Sequence, residues 1–182
     1  TIMSSKFSRL DFLRFSALGA STLFIPRALT AAEAPKKAKK GDVNDKINIG
    51  FIGLGQQAIH LVNGFLTIPE VRVIAGCDIY DIKRDRFVQR VNKYYSEKGI
   101  KNKLDMYIKY EDLLAREDID AVVIATPDHW HAAIAIAACK AGKDVYLEKP
   151  LTFTVYEGQR LIEAVRANNR ILQTGSMQRS MD

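Results

Sequence analysis

The sequence has little of what would mark a disulfide-stapled, zinc-binding or membrane-spanning protein. Its two cysteines, Cys77 and Cys139, stand in no Cys-x-x-Cys or Cys/His spacing. A disulfide framework and a zinc site are therefore excluded, and we expect two buried thiols. No apolar run reaches the roughly 20 residues that a membrane-spanning helix needs. These absences leave an ordinary globular chain.

Strong basic charge is also missing from most of the chain. The net charge of +6 suggests a nucleic-acid binder only if the excess belongs to the folded part. Residues 1–46 carry nine basic and four acidic side chains, which leaves an excess of one positive charge for residues 47–182. We therefore expect no nucleic-acid partner.

The basic segment is organised like an export signal. Lys6, Arg9 and Arg14 precede a mainly apolar stretch over residues 15–25, and small residues follow. Residues 8–14 resemble a twin-arginine signal in which Leu10 replaces the second arginine. We predict a leader over residues 1–30, a solvated linker over residues 31–45, and export to the periplasm with no membrane span after processing. The alternative is a disordered tail on a cytoplasmic protein.

From residue 46 onward, short apolar runs alternate with amphipathic stretches. The runs predict strands at residues 47–52, 71–77, 121–125 and 145–147, with weaker candidates at 106–108 and 171–173. The amphipathic stretches predict helices at residues 57–65, 83–95, 111–115, 129–141 and 155–168. This alternation is typical of an α/β fold with a doubly wound parallel sheet and helices on both faces.

The last predicted helix has a recognisable start. Thr154 and Glu157 have the spacing of a capping box, in which each side chain binds the other residue's backbone amide. Leu161, Ile162 and Val165 are expected to form its buried face.

A glycine-rich turn follows the first predicted strand, where residues 53–58 read Gly-Leu-Gly-Gln-Gln-Ala. Missing β-carbons let backbone amides approach a pyrophosphate at the start of a helix. The predicted contacts in this turn are Gly53, Gly55, Gln56 and Gln57. Asp78 stands 20 residues after Ala58 at the end of the second strand, where a carboxylate binds the adenosine ribose. We predict NAD, with NADP as the alternative because Lys83 and Arg84 are near.

Two further motifs follow later strands, Thr-Pro-Asp-His-Trp-His at residues 126–131 and Glu-Lys-Pro at residues 148–150. Together with the glycine-rich turn and Asp78, they closely resemble the Gfo/Idh/MocA family of glucose-fructose oxidoreductases and inositol dehydrogenases. The resemblance covers residues 46–182. It implies a Rossmann domain over residues 46–175 that binds NAD(P), followed by an α+β substrate domain that begins at residues 176–182 and is otherwise absent from this chain.

The resemblance also implies roles for single residues. Lys149 matches the lysine that handles the proton of the reacting hydroxyl, and Glu148 lines the nicotinamide pocket. Trp130 is expected to pack on the nicotinamide half of the cofactor. The other implied cofactor contacts are Thr126, Pro127, Asp128, His131 and Gln178, with Arg179 beside the last of these.

The chemistry of Lys149 also follows from the reaction itself. Hydride leaves a carbinol carbon only when the hydroxyl loses its proton, so a base must stand within about 2.6–3.2 Å of that oxygen. We expect Lys149 to be buried beside the positive nicotinamide, which would favour its neutral form. A surface lysine in a turn is the alternative.

No metal is expected at the histidine-rich motif. Asp128, His129 and His131 lack the i, i+4 helical spacing that directs two ligands at one ion.

The sequence thus predicts an NAD(P)-dependent oxidoreductase that acts on a hydroxyl of a sugar or polyol. A redox-assisted glycosidase with the same cofactor and a non-catalytic nucleotide-binding module remain as alternatives. A longer parent protein is expected to form a homo-oligomer.

Overall fold

A parallel β-sheet organises residues 46–176, the part of the chain that the computed structural model describes. Its strands are β1 (Ile47–Ile52), β2 (Val71–Cys77), β3 (Asp105–Tyr107), β4 (Ala121–Ile124), β5 (Asp144–Glu148) and β6 (Leu172–Gly175). The helices are α1 (Gln56–Leu66), α2 (Asp81–Glu97), α3 (Tyr110–Leu114), α4 (His131–Lys140) and α5 (Val155–Ala167). The predicted leader, the linker and residues 177–182 of the predicted second domain lie outside the described residues.

The sheet has the order β3-β2-β1-β4-β5-β6, and every neighbouring pair is parallel. Its strands are apolar because both faces are covered. On one face, Phe51 packs between Phe65 of α1 and Phe87 of α2, with ring centroids 5.8 and 5.2 Å apart. On the other face, Leu113, Ile134 and Leu161 from α3, α4 and α5 form a second core. The predicted doubly wound α/β fold is confirmed.

Strands β2 and β3 lie on one side of β1, and β4, β5 and β6 lie on the other, so the chain changes its direction across the sheet between β1 and β4. In open α/β sheets, ligands bind in the crevice at the carboxyl ends of the strands where this reversal occurs. The glycine-rich turn, Asp78 and the residue 126–131 motif all follow strands at that edge. Among residues 46–176, no helix is both long enough and apolar enough to cross a membrane.

Every predicted strand and helix is present, and the ends differ by two residues at most. The capping box of α5 is confirmed, since Glu157 N donates to Thr154 Oγ1 at 3.2 Å and Thr154 N donates to Glu157 Oε2 at 2.9 Å. The predicted burial of Ile162 is wrong, because this side chain is 49% exposed while Leu161 and Ala164 are buried. Adjacent helical positions differ by about 100° around the axis, so Ile162 cannot share the face of Leu161.

The helix predicted over residues 129–141 begins later, at His131, because residues Asp128–Trp130 form a 3₁₀ turn. Pro127 precedes this turn and has no amide hydrogen to donate, so the chain turns there before the α-helix starts.

Lys143 is a buried cation that the sequence did not single out. Its Nζ donates to the Ile119 carbonyl oxygen at 2.9 Å and also to the Arg116 carbonyl. Burial lowers the pKa of Lys143 below the ordinary lysine value, while Asp120 and Asp118 act in the opposite direction. Lys143 thereby ties the turn before β5 to the loop before β4.

Both cysteines are free and buried, which confirms the expectation of unpaired interior thiols. Burial raises the pKa of Cys77 to about 12, and the negative charge of Asp78 adds to the effect. Since the thiolate is the reactive form, we expect neither thiol to react with a disulfide reagent at pH 8 until the protein unfolds. Thiol titration in buffer and in denaturant tests this expectation. Rapid labelling of Cys77 in buffer contradicts it.

Candidate functional site

The glycine-rich turn begins with a residue that must be glycine. Gly53 has φ of +83°, and a β-carbon there would lie 2.7 Å from the Ala125 carbonyl oxygen at the end of β4. Gly53 N donates to the Cys77 carbonyl at 2.8 Å. The turn is therefore seated directly against the carboxyl ends of β2 and β4.

Gly55 is different, because the protein itself does not require a glycine there. Its φ is −70°, and a β-carbon would meet nothing within 4 Å. Gly55 is the N-cap of α1, which has no side-chain cap and no acidic residue in its first turn. The first amides of α1 thus have no side-chain cap, and the helix end contributes roughly half a positive charge there. This arrangement fits a pyrophosphate approaching the backbone.

Asp78 holds the turn from the end of β2. Its Oδ2 accepts from Leu54 N at 2.8 Å, and its Oδ1 accepts from Tyr80 N at 3.0 Å. Lys83 Nζ lies 3.7 Å from Oδ2. The carboxylate therefore has a structural role in addition to its predicted role at the ribose. Each oxygen has two lone pairs and can accept a further hydrogen bond.

The Arg84 side chain binds other residues of the protein. Its guanidinium pairs with Asp81 and donates to the Asp78 carbonyl at 2.5 Å. Of the two basic residues that the sequence placed near the ribose, only Lys83 has its side chain in the groove beside Asp78.

A groove of about 400 Å³ opens beside the turn. Its wall includes Asp78, Tyr80, Lys83, Ile108, Thr126 and Trp130. Thr126 Oγ1 is buried and has no hydrogen-bond partner among residues 46–176. Trp130 shares the groove with Asp78. The packing of Trp130 on the nicotinamide half of the cofactor stays a prediction.

Glu148 and Lys149 differ sharply in their surroundings. Glu148 is only 3% exposed, and its Oε1 accepts from Gln57 Nε2 at 2.9 Å. Its Oε2 accepts from Lys149 N at 3.1 Å, and a β-carbon on Gly175 would lie 2.9 Å from Oε1. The Lys149 side chain is exposed. Residues 46–176 alone therefore do not bury it as predicted.

Gln57 and His131 were predicted to contact the cofactor, and both side chains have protein partners in the structure. Gln57 donates to Glu148 through Nε2 only, so its contact with the cofactor stays a prediction. His131 is 1% exposed, and its two ring nitrogens lie 2.6 Å from the Pro150 carbonyl and 2.9 Å from the Thr126 carbonyl. A direct contact between His131 and a cofactor is therefore wrong, because the ring is enclosed and both nitrogens are occupied.

The remaining predicted contacts stay predictions. Gln56, Pro127 and Asp128 are exposed around the turn and the groove. Gln178 and Arg179 lie outside the described residues. The sequence did not single out Arg86, whose Nη2 donates to the Leu54 carbonyl at 3.0 Å. No sequence signal distinguishes Arg86 from other exposed arginines on α2.

The sequence profile of the Gfo/Idh/MocA oxidoreductases, described as an NAD-binding Rossmann fold, matches residues 47–176. The chain belongs to this family. The predicted resemblance and the NAD(P) cofactor are thereby confirmed. Glycosyl hydrolase family 109 protein 2 of Shewanella sp. strain ANA-3 is 32% identical over 177 residues, which are 91% of this chain and 38% of that relative. This Gfo/Idh/MocA chain thus spans well under half of the curated relatives it matches.

Solved structures of dehydrogenases and reductases share the fold. A scyllo-inositol dehydrogenase from Lactobacillus casei, with bound NAD(H) and scyllo-inositol, is 27% identical, has a TM-score of 0.62, and aligns over 76% of this chain and 38% of its own. A 3-ketoreductase from Actinomadura kijaniata, in complex with TDP-benzene and NADP, is 28% identical with a TM-score of 0.64 over 73% of this chain and 39% of its own.

The open space at Gly55 leads to a test of this Gfo/Idh/MocA site. We expect Gly55→Ala to weaken NADH binding at least about tenfold, because the added methyl group occupies the approach of the pyrophosphate. The free energy of unfolding should fall by less than about 1 kcal/mol, the cost of a poorer N-cap. Fluorescence titration and denaturant unfolding measure the two effects.

Gly64 provides the matched control, since it lies within α1 and also has nothing within 4 Å. Gly64→Ala should leave NADH affinity unchanged. Equal affinities for the two variants would show that the space at Gly55 is not used by the cofactor.

Proposed function

We propose that this domain supplies the cofactor half of an oxidoreductase that transfers hydride between NAD(P) and a hydroxyl of a sugar or polyol. The observation that carries the proposal is the placement of the Lys149 loop. Glu148 joins it to the first turn of α1 through Gln57, and Pro150 joins it to the groove wall through His131. Lys149 therefore extends from a loop fixed against both parts of the cofactor site.

The proposed reaction consists of a hydride transfer and a proton transfer, and Lys149 carries out the second. When bound, the nicotinamide accepts or donates the hydride. Lys149 Nζ takes the proton of the substrate hydroxyl in the oxidative direction and returns it to the carbonyl oxygen in the reductive direction. Because Lys149 is exposed in residues 46–176, the bound cofactor and the rest of the enzyme must exclude water from it.

NAD is the proposed cofactor rather than NADP. The Asp78 carboxylate, 9% exposed and fixed by two backbone amides, would repel a 2′-phosphate and accept hydrogen bonds from a free ribose hydroxyl. The positive charge of Lys83, 3.7 Å from Asp78 Oδ2, weakens the repulsion of a 2′-phosphate but does not remove the carboxylate that binds the ribose.

A redox-assisted glycosidase is the second candidate. The relatives named glycosyl hydrolase family 109 favour it, since they are 32–33% identical to this chain. In such an enzyme the sugar is transiently oxidised, the glycosidic bond is lost by elimination, water adds to the resulting double bond, and the hydride then returns. Its cycle has no net consumption of NAD.

The first test uses the chain's single tryptophan as a reporter. Trp130 lies in the groove, so bound NADH should quench its fluorescence, and NAD should compete more strongly than NADP. Absence of saturable quenching, together with no heat of binding, contradicts the cofactor proposal.

The second test uses the protein that contains this domain with its remaining sequence. We expect scyllo-inositol or another polyol to produce NADH from NAD. Release of sugar from a glycoside without accumulation of NADH supports the glycosidase instead. A protein that binds NADH and performs neither reaction is a non-catalytic nucleotide-binding module.

We also propose export through a twin-arginine-like signal and assembly of the longer protein as a homo-oligomer. The order of basic, apolar and small residues before residue 35 supports the first. Cell fractionation that finds an uncut cytoplasmic protein refutes export, and light scattering determines the assembly.

A further inference from the structure

His131 connects two loops that are distant in sequence. Its ring lies at the start of α4, with Nδ1 2.6 Å from the Pro150 carbonyl and Nε2 2.9 Å from the Thr126 carbonyl. Thr126 follows β4 and forms part of the groove wall, whereas Pro150 follows Lys149 after β5. The buried ring thus spans the gap between the groove and the candidate proton-transfer loop.

The chemistry of these contacts determines what the ring does. A carbonyl oxygen only accepts, so each contact becomes a hydrogen bond only when the facing nitrogen carries a hydrogen. A neutral imidazole donates to one of the two carbonyls, and an imidazolium donates to both. The contact to Pro150 is the one that bears on Lys149, because these two residues share a peptide bond.

The backbone of Lys149 is consequently held on both sides. On its amino side, Lys149 N donates to Glu148 Oε2, while Glu148 Oε1 is fixed by Gln57. On its carboxyl side, Pro150 is fixed by His131. The Lys149 side chain is exposed and makes no hydrogen bond among the described residues. Its location therefore depends on these backbone contacts.

We propose that His131 is a positioning residue that fixes Lys149 beside the cofactor through the hydrogen bond from Nδ1 to the Pro150 carbonyl. This inference rests on the proposed function of Lys149. His131 itself touches neither cofactor nor substrate, and the neighbouring His129 has no such role because its side chain is exposed.

Two substitutions separate the two contacts of the ring. The amide nitrogen of asparagine occupies nearly the position of His Nδ1, and that of glutamine nearly the position of His Nε2. His131→Asn therefore retains a donor toward Pro150, and His131→Gln retains a donor toward Thr126. His129→Gln, at an exposed position on the same turn, is the matched control.

The readout is the protection of Lys149 by NADH against reductive methylation, measured by mass spectrometry on the purified chain. We expect wild type, His129→Gln and His131→Asn to show strong protection at saturating NADH. His131→Gln should lose about tenfold of that protection, the effect of one hydrogen bond, while its NADH affinity stays within about threefold of wild type.

Each outcome decides the matter. Equal protection in wild type and both His131 variants overturns the positioning role. A purely structural role predicts that protection of Lys149 falls in proportion to the stability of each variant, with His131→Asn no better protected than His131→Gln. That result also overturns the positioning role. NADH binding without protection in wild type overturns the proposed role of Lys149, and this inference with it. Failure of NADH to bind at all contradicts the cofactor proposal first.

A measurement on the unmodified chain covers the case in which the variants do not fold. Nitrogen-15 spectra of the histidines report which ring nitrogens carry hydrogen. We expect Nδ1 of His131 to carry a hydrogen, because only then can it donate to the Pro150 carbonyl. A ring with hydrogen on Nε2 alone excludes that bond and overturns the inference.

Discussion

Gly53→Ala should lower the free energy of unfolding by about 3 kcal/mol or more. Two costs combine at this position. A φ of +83° is unfavourable for any residue with a β-carbon, and that β-carbon would lie 2.7 Å from the Ala125 carbonyl oxygen and 2.8 Å from its carbon. Both neighbours belong to the backbone next to β4, which cannot retreat without disturbing the sheet. Denaturant unfolding followed by circular dichroism measures the loss.

Gly142 separates these two costs. Its φ is +78°, close to that of Gly53, but a β-carbon there meets nothing within 4 Å. Gly142→Ala should therefore cost only the backbone term, about 1 kcal/mol. If both alanine variants lose the same stability, the contact with Ala125 relaxes freely and our account of the turn is wrong.

Lys149→Ala should reduce the turnover number of the longer enzyme by about 10²- to 10⁴-fold, the contribution of a general acid–base residue. NADH affinity should change by less than about threefold, because Lys149 is exposed and is not part of the groove wall. Lys149→Arg should be equally inactive, since a guanidinium does not give up its proton at neutral pH. Initial rates of NADH production and fluorescence titration measure the two quantities.

Lys140 is the control for charge. It is an exposed lysine at the end of α4, and α4 leads away from the carboxyl edge of the sheet toward β5. Lys140→Ala should leave both quantities unchanged. Loss of NADH binding in Lys149→Ala with turnover otherwise intact would make Lys149 a cofactor-binding residue and not the proton carrier.

The fold was predictable because its signals are local. Apolar runs such as residues 71–77 must be buried on both faces, and Thr154 with Glu157 identifies a helix start by spacing alone. The prediction for Ile162 was wrong because it counted an apolar residue at a position where helical geometry turns the side chain to solvent.

The partners within the site were not predictable in the same way. Gln57 and Glu148 are 91 residues apart, and His131 and Pro150 are 19 apart, so their hydrogen bonds depend on the three-dimensional arrangement of the turns. Motif position correctly brought these residues to one edge of the sheet. It could not distinguish a side chain that faces the cofactor from one that supports its neighbour.

The enclosure of Cys77 and Cys139 has a consequence for where this domain can mature. Each thiol is buried in the packed core, and neither Cys77 nor Cys139 forms a disulfide. Folding therefore requires no oxidant and no disulfide isomerase. The covalent structure of residues 46–176 is therefore the same in a reducing and in an oxidising compartment.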